Sequence, residues 1–332
     1  MFSVFIHPAL IKVEESSGVS EARFAARNMA RALDFDEAGA ERAAIVATEI
    51  CTNLLKHAGG GSLCLAPNRE RAIELLGLDR GPGMSNLRQC LADGYSTTGT
   101  PGTGLGAISR LSAFSEAYSQ PGRGTAIFSI VVGKAGAKQP APNISGVQAN
   151  KPGQEVCGDA WGWKPARIGN TVVVADGLGH GPDAAAAARC AMEIFHKHSD
   201  ASPRDILESI HLGLKHTRGA AVSVASMDED RRIVAFAGLG NVSGYVCETG
   251  QPRRQFVSMN GTAGLEARTS FREFSYPWPR GSAVVLHSDG LTSHWGLDDY
   301  PALISRGPAL LAGVLFRDFS RGTDDATVVA AV

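Results

Sequence analysis

The pattern of apolar and polar positions divides the chain into two halves. In the first half, apolar residues recur at helical spacing, and a serine followed by a glutamate marks the start of the first helical segment. The predicted helices cover 20–33 and 41–58. Shorter apolar runs predict neighbouring strands at 62–67 and 72–78 and a last strand at 125–132. This half is therefore a mixed α and β domain.

The second half has a different order of elements. An apolar run at 171–177 ends in an acidic turn, and two helical segments follow it at 183–198 and 203–217. Short runs rich in β-branched residues come next, separated by Gly, Asp or Asn turns. They cover 220–228, 232–240, 242–249, 282–290 and 326–332. We therefore expect a strand-rich domain with paired helices.

Between the halves, residues 133–154 are rich in Gly, Pro, Ala and polar residues and show neither helical nor strand periodicity. A chain of 332 residues also exceeds the usual size of one hydrophobic core. The sequence thus predicts a two-domain α+β protein with domains at 1–133 and 153–332 and a linker at 134–152.

Composition excludes several classes of protein. Lys and Arg number 32 against 33 Asp and Glu, so no net field favours nucleic acid or an anionic membrane. The six cysteines lack zinc or disulfide-framework spacing, the N-terminus lacks signal-peptide features, and no apolar run approaches about 20 residues. We expect a cytoplasmic protein that binds neither membranes nor nucleic acid.

Acidic residues stand beside predicted strands of the second half. They are Asp159, Asp176, Asp289 and Asp324, with Asp325 directly after the last. Hard divalent cations prefer oxygen ligands, and carboxylates at strand ends can converge from distant sequence positions. Gly177, which lacks a Cβ, could bring its carbonyl to the same ion. The alternative for each motif alone is a turn between strands.

The order of motifs in this half is GD, ADGLGHG, GLGNV, NGTAG, HSDGL and DDATVV. It resembles the SpoIIE-like branch of the metal-dependent serine/threonine protein phosphatases, the PPM family. The resemblance covers about 153–332 and implies an α/β/β/α sandwich. It also implies that two Mn²⁺ or Mg²⁺ ions are held by Asp159, Asp176, Gly177, Asp289 and Asp324. Two roles stay open: Asp325 is a less certain ligand, and His180 is either a proton donor or a turn residue.

A second group of motifs lies in the first half. Glu49 and Asn53 are four residues apart on a predicted helix, so they share one face. The segment 78–84 (LDRGPGM) follows a strand, and the glycine-rich segment 97–111 leads into a helix. Backbone N–H groups of such a loop, with the helix dipole, suit phosphate oxygens. Taken singly, these features also fit a solvated helix face and a flexible loop.

These residues resemble the GHKL or Bergerat ATP-binding fold, an α/β sandwich, and within it the switch-protein serine kinases of the RsbT and anti-sigma-factor type. The resemblance covers about 10–133. It implies that Glu49 is the general base, that Asn53 binds the Mg²⁺ on ATP, and that Asp79 accepts a hydrogen bond from adenine. The remaining matches to the family's ATP site are Gly81, Gly83, Gly102, Thr103, Gly104, Leu105, Gly106 and Thr125.

Together the two resemblances imply a bifunctional partner-switching regulator. Its first domain would phosphorylate a STAS-domain protein, either an anti-sigma antagonist or a stressosome-like protein. Its second domain would remove phosphate from the same or a related protein. Alternatively, the first domain is an ATP-sensing or partner-binding module without phosphotransfer, or the second is a degenerate scaffold. The sequence leaves a homodimer open.

Overall fold

The computed structural model describes residues 8–87, 104–134, 136–167, 169–198, 201–265 and 270–332. The chain forms two compact units, Met1–Pro142 and Asn143–Val332. Among the described residues, none of the helices combines the length and the apolar character that crossing a membrane requires.

The first unit is one antiparallel sheet with helices packed on one face. Its strands are β1 (Ala9–Val13), β2 (Gly61–Pro67), β3 (Ile73–Leu78), β4 (Phe114–Ser119) and β5 (Thr125–Val131), and its helices are α1 (Ser16–Ala32), α2 (Glu37–Ala58) and α3 (Gly104–Leu111). The strand order is β1-β2-β3-β5-β4. Ile50 and Leu54 of α2 pack with Leu63, Leu75 and Ile127 of the sheet in one buried core.

Both long helices of this unit begin earlier than the sequence predicts. Helix α2 starts after Asp36, whose carboxylate accepts a hydrogen bond from the Gly39 N–H at 2.6 Å, and ends at Gly59 in the left-handed region (φ 71°). Helix α1 starts at Ser16 rather than Ser20. Gly18 makes this start possible, because its first turn lies close to β1. A Cβ at this position would lie 2.7 Å from the Lys12 carbonyl oxygen, so a residue with a side chain would clash. The pairing of β2 with β3 confirms the predicted neighbouring strands.

Within its described residues, the second unit contains ten strands, three α-helices and a short 3-10 helix at Ile304–Arg306. The strands are β6 (Ile144–Ala149), β7 (Asp159–Pro165), β8 (Asn170–Gly177), β9 (Ala220–Asp228), β10 (Ile233–Leu239), β11 (Ser243–Cys247), β12 (Arg254–Gln255), β13 (Phe274–Pro277), β14 (Ala283–His287) and β15 (Ala326–Ala331). The helices are α4 (Pro182–Lys197), α5 (Pro203–Gly213) and α6 (Pro308–Phe319).

These strands form two antiparallel sheets, ordered β13-β10-β9-β8-β7 and β12-β11-β14-β15-β6. Val174 and Phe236 of the first sheet share a buried core with Val284 and Val329 of the second. Helices α4 and α5 pack on the first sheet, and α6 packs on β6 and β15 of the second. The layers therefore run helix, sheet, sheet, helix, and both cores hold the strand ends in fixed positions.

The predicted linker at 134–152 is wrong over 144–149, because these residues form β6. This strand pairs with β15 from Ile144 opposite Ala331 to Ala149 opposite Ala326. Its burial alternates only partly and it contains a glycine, so it carries a weak strand signal. Long-range pairing with the end of the chain, rather than local pattern, makes it a strand.

Candidate functional site

The acidic motifs of the second unit meet at strand ends. Asp159 begins β7 and lies directly opposite Asp176 of β8. Asp289 follows β14, and Asp324 and Asp325 precede β15. These strands belong to both sheets, so the five aspartates come together at one edge of the sandwich. We call them the aspartate cluster.

Burial and mutual repulsion disfavour the charged forms of the aspartates in this cluster. Burial and, to a lesser degree, the negative charges of the other four aspartates together raise the pKa of Asp176 to about 9. Burial likewise raises the pKa of Asp159 to about 7. One carboxylate oxygen each of Asp159 and Asp325 is buried without a hydrogen-bond partner. Buried, mutually repelling carboxylates with unpaired oxygens are the donor set that a hard divalent cation stabilises.

The carboxylates are near each other but do not form a coordination sphere. Within the described ranges, no group of three or more His, Cys, Asp and Glu side chains is arranged to hold a metal ion. The chemistry of the donors fits Mg²⁺ or Mn²⁺, whereas the coordination geometry is not assembled. The assignment of Asp159, Asp176, Asp289 and Asp324 as ligands therefore stays a prediction.

Gly177 packs tightly at the start of α4. A Cβ on Gly177 would lie 2.1 Å from the Ala184 carbonyl oxygen, so no side chain fits there. Its N–H donates to the Gly158 carbonyl oxygen at 3.0 Å, next to Asp159. The glycine thereby keeps the turn after Asp176 close to the helix, which suits the backbone role expected of it.

Two residues that the sequence reasoning did not place support the cluster. The Asn241 side-chain amide donates a hydrogen bond to Asp289 Oδ2 at 2.8 Å. Asp325 Oδ1 accepts a hydrogen bond from the Lys151 N–H at 2.8 Å, which anchors the segment after β6. The GLGNV motif contains Asn241, but 48 positions separate it from Asp289 and only the fold joins them.

A cluster of buried rings fixes the backbone at Ser288, the residue before Asp289. The Trp295 indole N–H donates to His287 Nε2 at 3.0 Å, so Nε2 acts as an acceptor. The ring proton of His287 therefore sits on Nδ1, which donates to the Ser288 carbonyl oxygen at 2.7 Å. Burial lowers the pKa of His287 to about 4, which keeps the ring neutral. Tyr245 stacks on His287 with ring centroids 5.7 Å apart. His180, by contrast, is exposed.

The first unit brings Glu49 and Asn53 of α2 against the start of α3. A Cβ on Gly104 would lie 3.1 Å from Glu49 Oε2 and 3.3 Å from Asn53 Oδ1. Asn53 Nδ2 is buried without a hydrogen-bond partner. Leu105 packs against the core of this unit, and Gly106 is buried. Gly102 and Thr103, predicted to contact phosphate, lie outside the described residues.

Asp79 organises a second part of this site. Its Oδ1 accepts hydrogen bonds from the N–H groups of Gly81 at 2.8 Å and Thr125 at 3.0 Å. Gly83 adopts a positive φ of 68°, and a Cβ there would lie 2.1 Å from the Gln120 carbonyl oxygen. The structure thus joins the predicted adenine-loop residues to Thr125. Binding of adenine by Asp79 stays a prediction.

A family profile matches most of the second unit. Residues 169–331 match the family described as Stage II sporulation protein E (SpoIIE). We therefore refer to these residues as the SpoIIE-like domain. Among solved structures, one described as "The bacterial stressosome: a modular system that has been adapted to control secondary messenger signaling" is 23% identical, with a TM-score of 0.51. The match covers 57% of this chain and 98% of that one, and at this identity it concerns the fold alone.

The chain is also similar to two further proteins. RsbX in complex with magnesium is 20% identical, with a TM-score of 0.48, over 58% of this chain and 97% of that chain. The serine/threonine-protein kinase RsbT of Bacillus subtilis (strain 168) is 28% identical over 123 residues, which are 36% of this chain and 92% of RsbT. The chain is thus similar to a kinase over one part of its length and to the SpoIIE family over another.

Proposed function

We propose that the second unit, which contains the SpoIIE-like domain, is a metal-dependent protein serine/threonine phosphatase. The observation that carries the proposal is the aspartate cluster, in which carboxylates from four strand ends meet in the second unit, most of which matches the SpoIIE family. Asp159, Asp176, Asp289 and Asp324, with the Gly177 carbonyl, would hold two Mg²⁺ or Mn²⁺ ions. When bound, such ions lower the pKa of water and neutralise phosphoryl oxygens.

The residues around the cluster would position these ligands. Asn241 orients the Asp289 carboxylate through its hydrogen bond, and Trp295 and His287 hold the backbone just before it. Asp325 uses one oxygen to fix the Lys151 backbone, so its main role is positional. In this reaction a water molecule attacks the phosphorus directly, and the bond from phosphorus to the serine or threonine oxygen breaks. The side chain leaves as the free alcohol after it takes up a proton, so no covalent phosphoenzyme forms.

The test is hydrolysis of a phosphoserine peptide and of para-nitrophenyl phosphate with Mn²⁺. We expect Asp176→Asn to abolish both activities, because it removes a charged ligand. It should also abolish the rise in melting temperature that Mn²⁺ produces. Asp230→Asn, in the exposed turn after β9, serves as the matched control. Full activity of Asp176→Asn would refute the site.

We further propose that Met1–Pro142 binds ATP with Mg²⁺ and phosphorylates a protein serine or threonine. The similarity to the kinase RsbT and the contact of Glu49 and Asn53 with the start of α3 support this. Glu49 would accept the hydroxyl proton while Asn53 holds the Mg²⁺. The other residues of this GHKL site are Asp79, Gly81, Gly83, Gly102, Thr103, Gly104, Leu105, Gly106 and Thr125.

The competing proposal is that this unit senses ATP or binds a partner without phosphotransfer. Glu49→Ala separates the two: under the kinase proposal it abolishes transfer from labelled ATP and leaves ATP binding intact. Glu21→Ala, an exposed change on α1, is the control. If the unmodified chain binds ATP but transfers no phosphate to any STAS-domain partner, the sensing module is the better account.

The partner we propose is a STAS-domain phosphoprotein of an anti-sigma or stressosome system. Opposed kinase and phosphatase activities would set its phosphorylation level, so that ATP and partner occupancy decide the output. Incubation of a purified STAS protein with the chain and ATP, then with Mn²⁺, tests both directions in one experiment. Light scattering of the same sample tests whether the chain is a homodimer.

A further inference from the structure

Three exposed side chains surround Gly219 beside the aspartate cluster. They are Leu178, Arg218 and Leu265, and we call them the rim. Leu178 and Leu265 are 50% and 54% exposed, although most large apolar side chains of this unit are buried. Two exposed leucines next to the same buried glycine are unusual enough to require a reason.

Hydrogen bonds and packing fix the rim relative to the cluster. Asp176 lies opposite Ala221 in the β8–β9 ladder, and Gly177 lies opposite Ala220. One residue further on, the Leu178 N–H donates to the Gly219 carbonyl oxygen at 2.9 Å. A Cβ on Gly219 would lie 3.1 Å from Leu265 Cγ. The rim therefore continues directly from the strand end that carries Asp176.

The Arg218 side chain is held in place by an exposed ion pair, so its guanidinium stays accessible to a ligand. Its guanidinium forms an ion pair with Asp183 at 2.9 Å, and both side chains are more than half exposed. A Cβ on Gly179 would lie 3.3 Å from Arg218 Nη1, so the guanidinium lies over the glycine-rich turn. An exposed pair of this kind contributes little to stability, and an incoming anion can replace Asp183 at low cost.

We propose that the rim is the docking surface for the phosphorylated segment of a protein substrate. Arg218 would contact the phosphoryl group, and Leu178 and Leu265 would contact apolar side chains next to the phosphoserine or phosphothreonine. Charge complementarity supports this occupant, because Arg218 offers an exposed cation to a phosphoryl dianion next to the strand end that carries Asp176. This inference rests on the proposed phosphatase function and adds a preference for apolar residues next to the phosphorylated side chain of the substrate.

The test measures binding and hydrolysis of two phosphoserine peptides with Mn²⁺, one with leucines on both sides of the phosphoserine and one with serines there. We expect the leucine peptide to bind about tenfold more tightly to the unmodified protein. Leu265→Ser should reduce this preference to about twofold, since half-buried leucine contacts are lost. Leu212→Ser is the matched control, because Leu212 on α5 is also 54% exposed.

Arg218→Ala should raise Kd and KM about tenfold for both peptides and for para-nitrophenyl phosphate, with little change in kcat. Arg204→Ala is the control, because Arg204 forms a comparable exposed ion pair with Asp205 at 3.0 Å. Unchanged constants in Arg218→Ala, or an unchanged leucine preference in Leu265→Ser, overturn the proposal. If the peptides bind through the rim but Mn²⁺ supports no hydrolysis, the phosphatase function fails and the docking surface stands.

Discussion

Replacement of Asn241 by alanine tests whether the aspartate cluster depends on a residue that is not a ligand. Asn241 stands between β10 and β11, and its amide donates to Asp289 Oδ2 at 2.8 Å. Asp289 follows β14 and belongs to the proposed ligand set. In Asn241→Ala the Asp289 carboxylate loses this donor and can rotate away from the other aspartates.

The size of the effect follows from the type of bond. A hydrogen bond to a charged group contributes about 1.5–3 kcal/mol, and partners that orient a metal ligand change metal affinity or activity by about 10–100-fold. Because Asn241 is exposed, we expect the lower end, about tenfold weaker Mn²⁺ binding. The free energy of unfolding without metal should change by less than about 1 kcal/mol, since no buried group is left unpaired.

Two titrations with Mn²⁺ measure this effect, one following phosphatase activity and the other following melting temperature. Both should shift to about tenfold higher Mn²⁺, and kcat at saturating Mn²⁺ should recover most of its value. Asn170→Ala is the matched control, because Asn170 donates to Glu229 at 3.5 Å at the opposite end of β8. Equal Mn²⁺ requirements for Asn241→Ala and Asn170→Ala would refute the orienting role.

Three further predictions concern the core between the sheets, the proposed ATP site and the cap of α2. Phe236→Ala should lower the free energy of unfolding by about 3–5 kcal/mol in urea denaturation, because the ring is fully buried between the sheets; a loss under 1 kcal/mol would contradict that packing. Gly104→Val should prevent binding of a fluorescent ATP analogue, since its side chain would press on Glu49 and Asn53, while unmodified affinity would argue against the site. Asp36→Ala should destabilise the first unit by about 1 kcal/mol in thermal melting through loss of the α2 cap, and no change would show that the cap is unimportant.

Local pattern was sufficient for the elements whose periodicity is clear. The spans of α2, β2 and β3 match their predictions within a few residues, because each has an alternating or helical apolar face. The same holds for the acidic strand ends at Asp176 and Asp289. A carboxylate directly after a buried strand is visible in the sequence without knowledge of the fold.

Elements stabilised mainly by distant contacts were missed. Helix α6 is buried on nearly all sides, so its sequence PALLAGVLFRDF lacks the polar face that marks a helix. Strand β6 requires β15, nearly 180 residues away, and was therefore predicted as linker. The contacts of Asn241 with Asp289 and of Asp325 with Lys151 also join distant segments. Such contacts follow from sheet order, which the residue pattern does not specify.

The position of the aspartate cluster explains how it can remain assembled despite its repulsion. Its strands belong to two sheets, and each sheet is held by a buried core, so the strand ends that carry the aspartates cannot separate without disrupting Val174, Phe236 or Leu286. Repulsion among the carboxylates destabilises the folded domain, and apolar packing elsewhere in the domain offsets this loss of stability. A cation that relieves this repulsion binds the folded state and not the unfolded chain, and so stabilises the fold in proportion to its occupancy. Metal binding and domain stability should therefore rise together, which couples the chemistry of the site to the packing of both sheets.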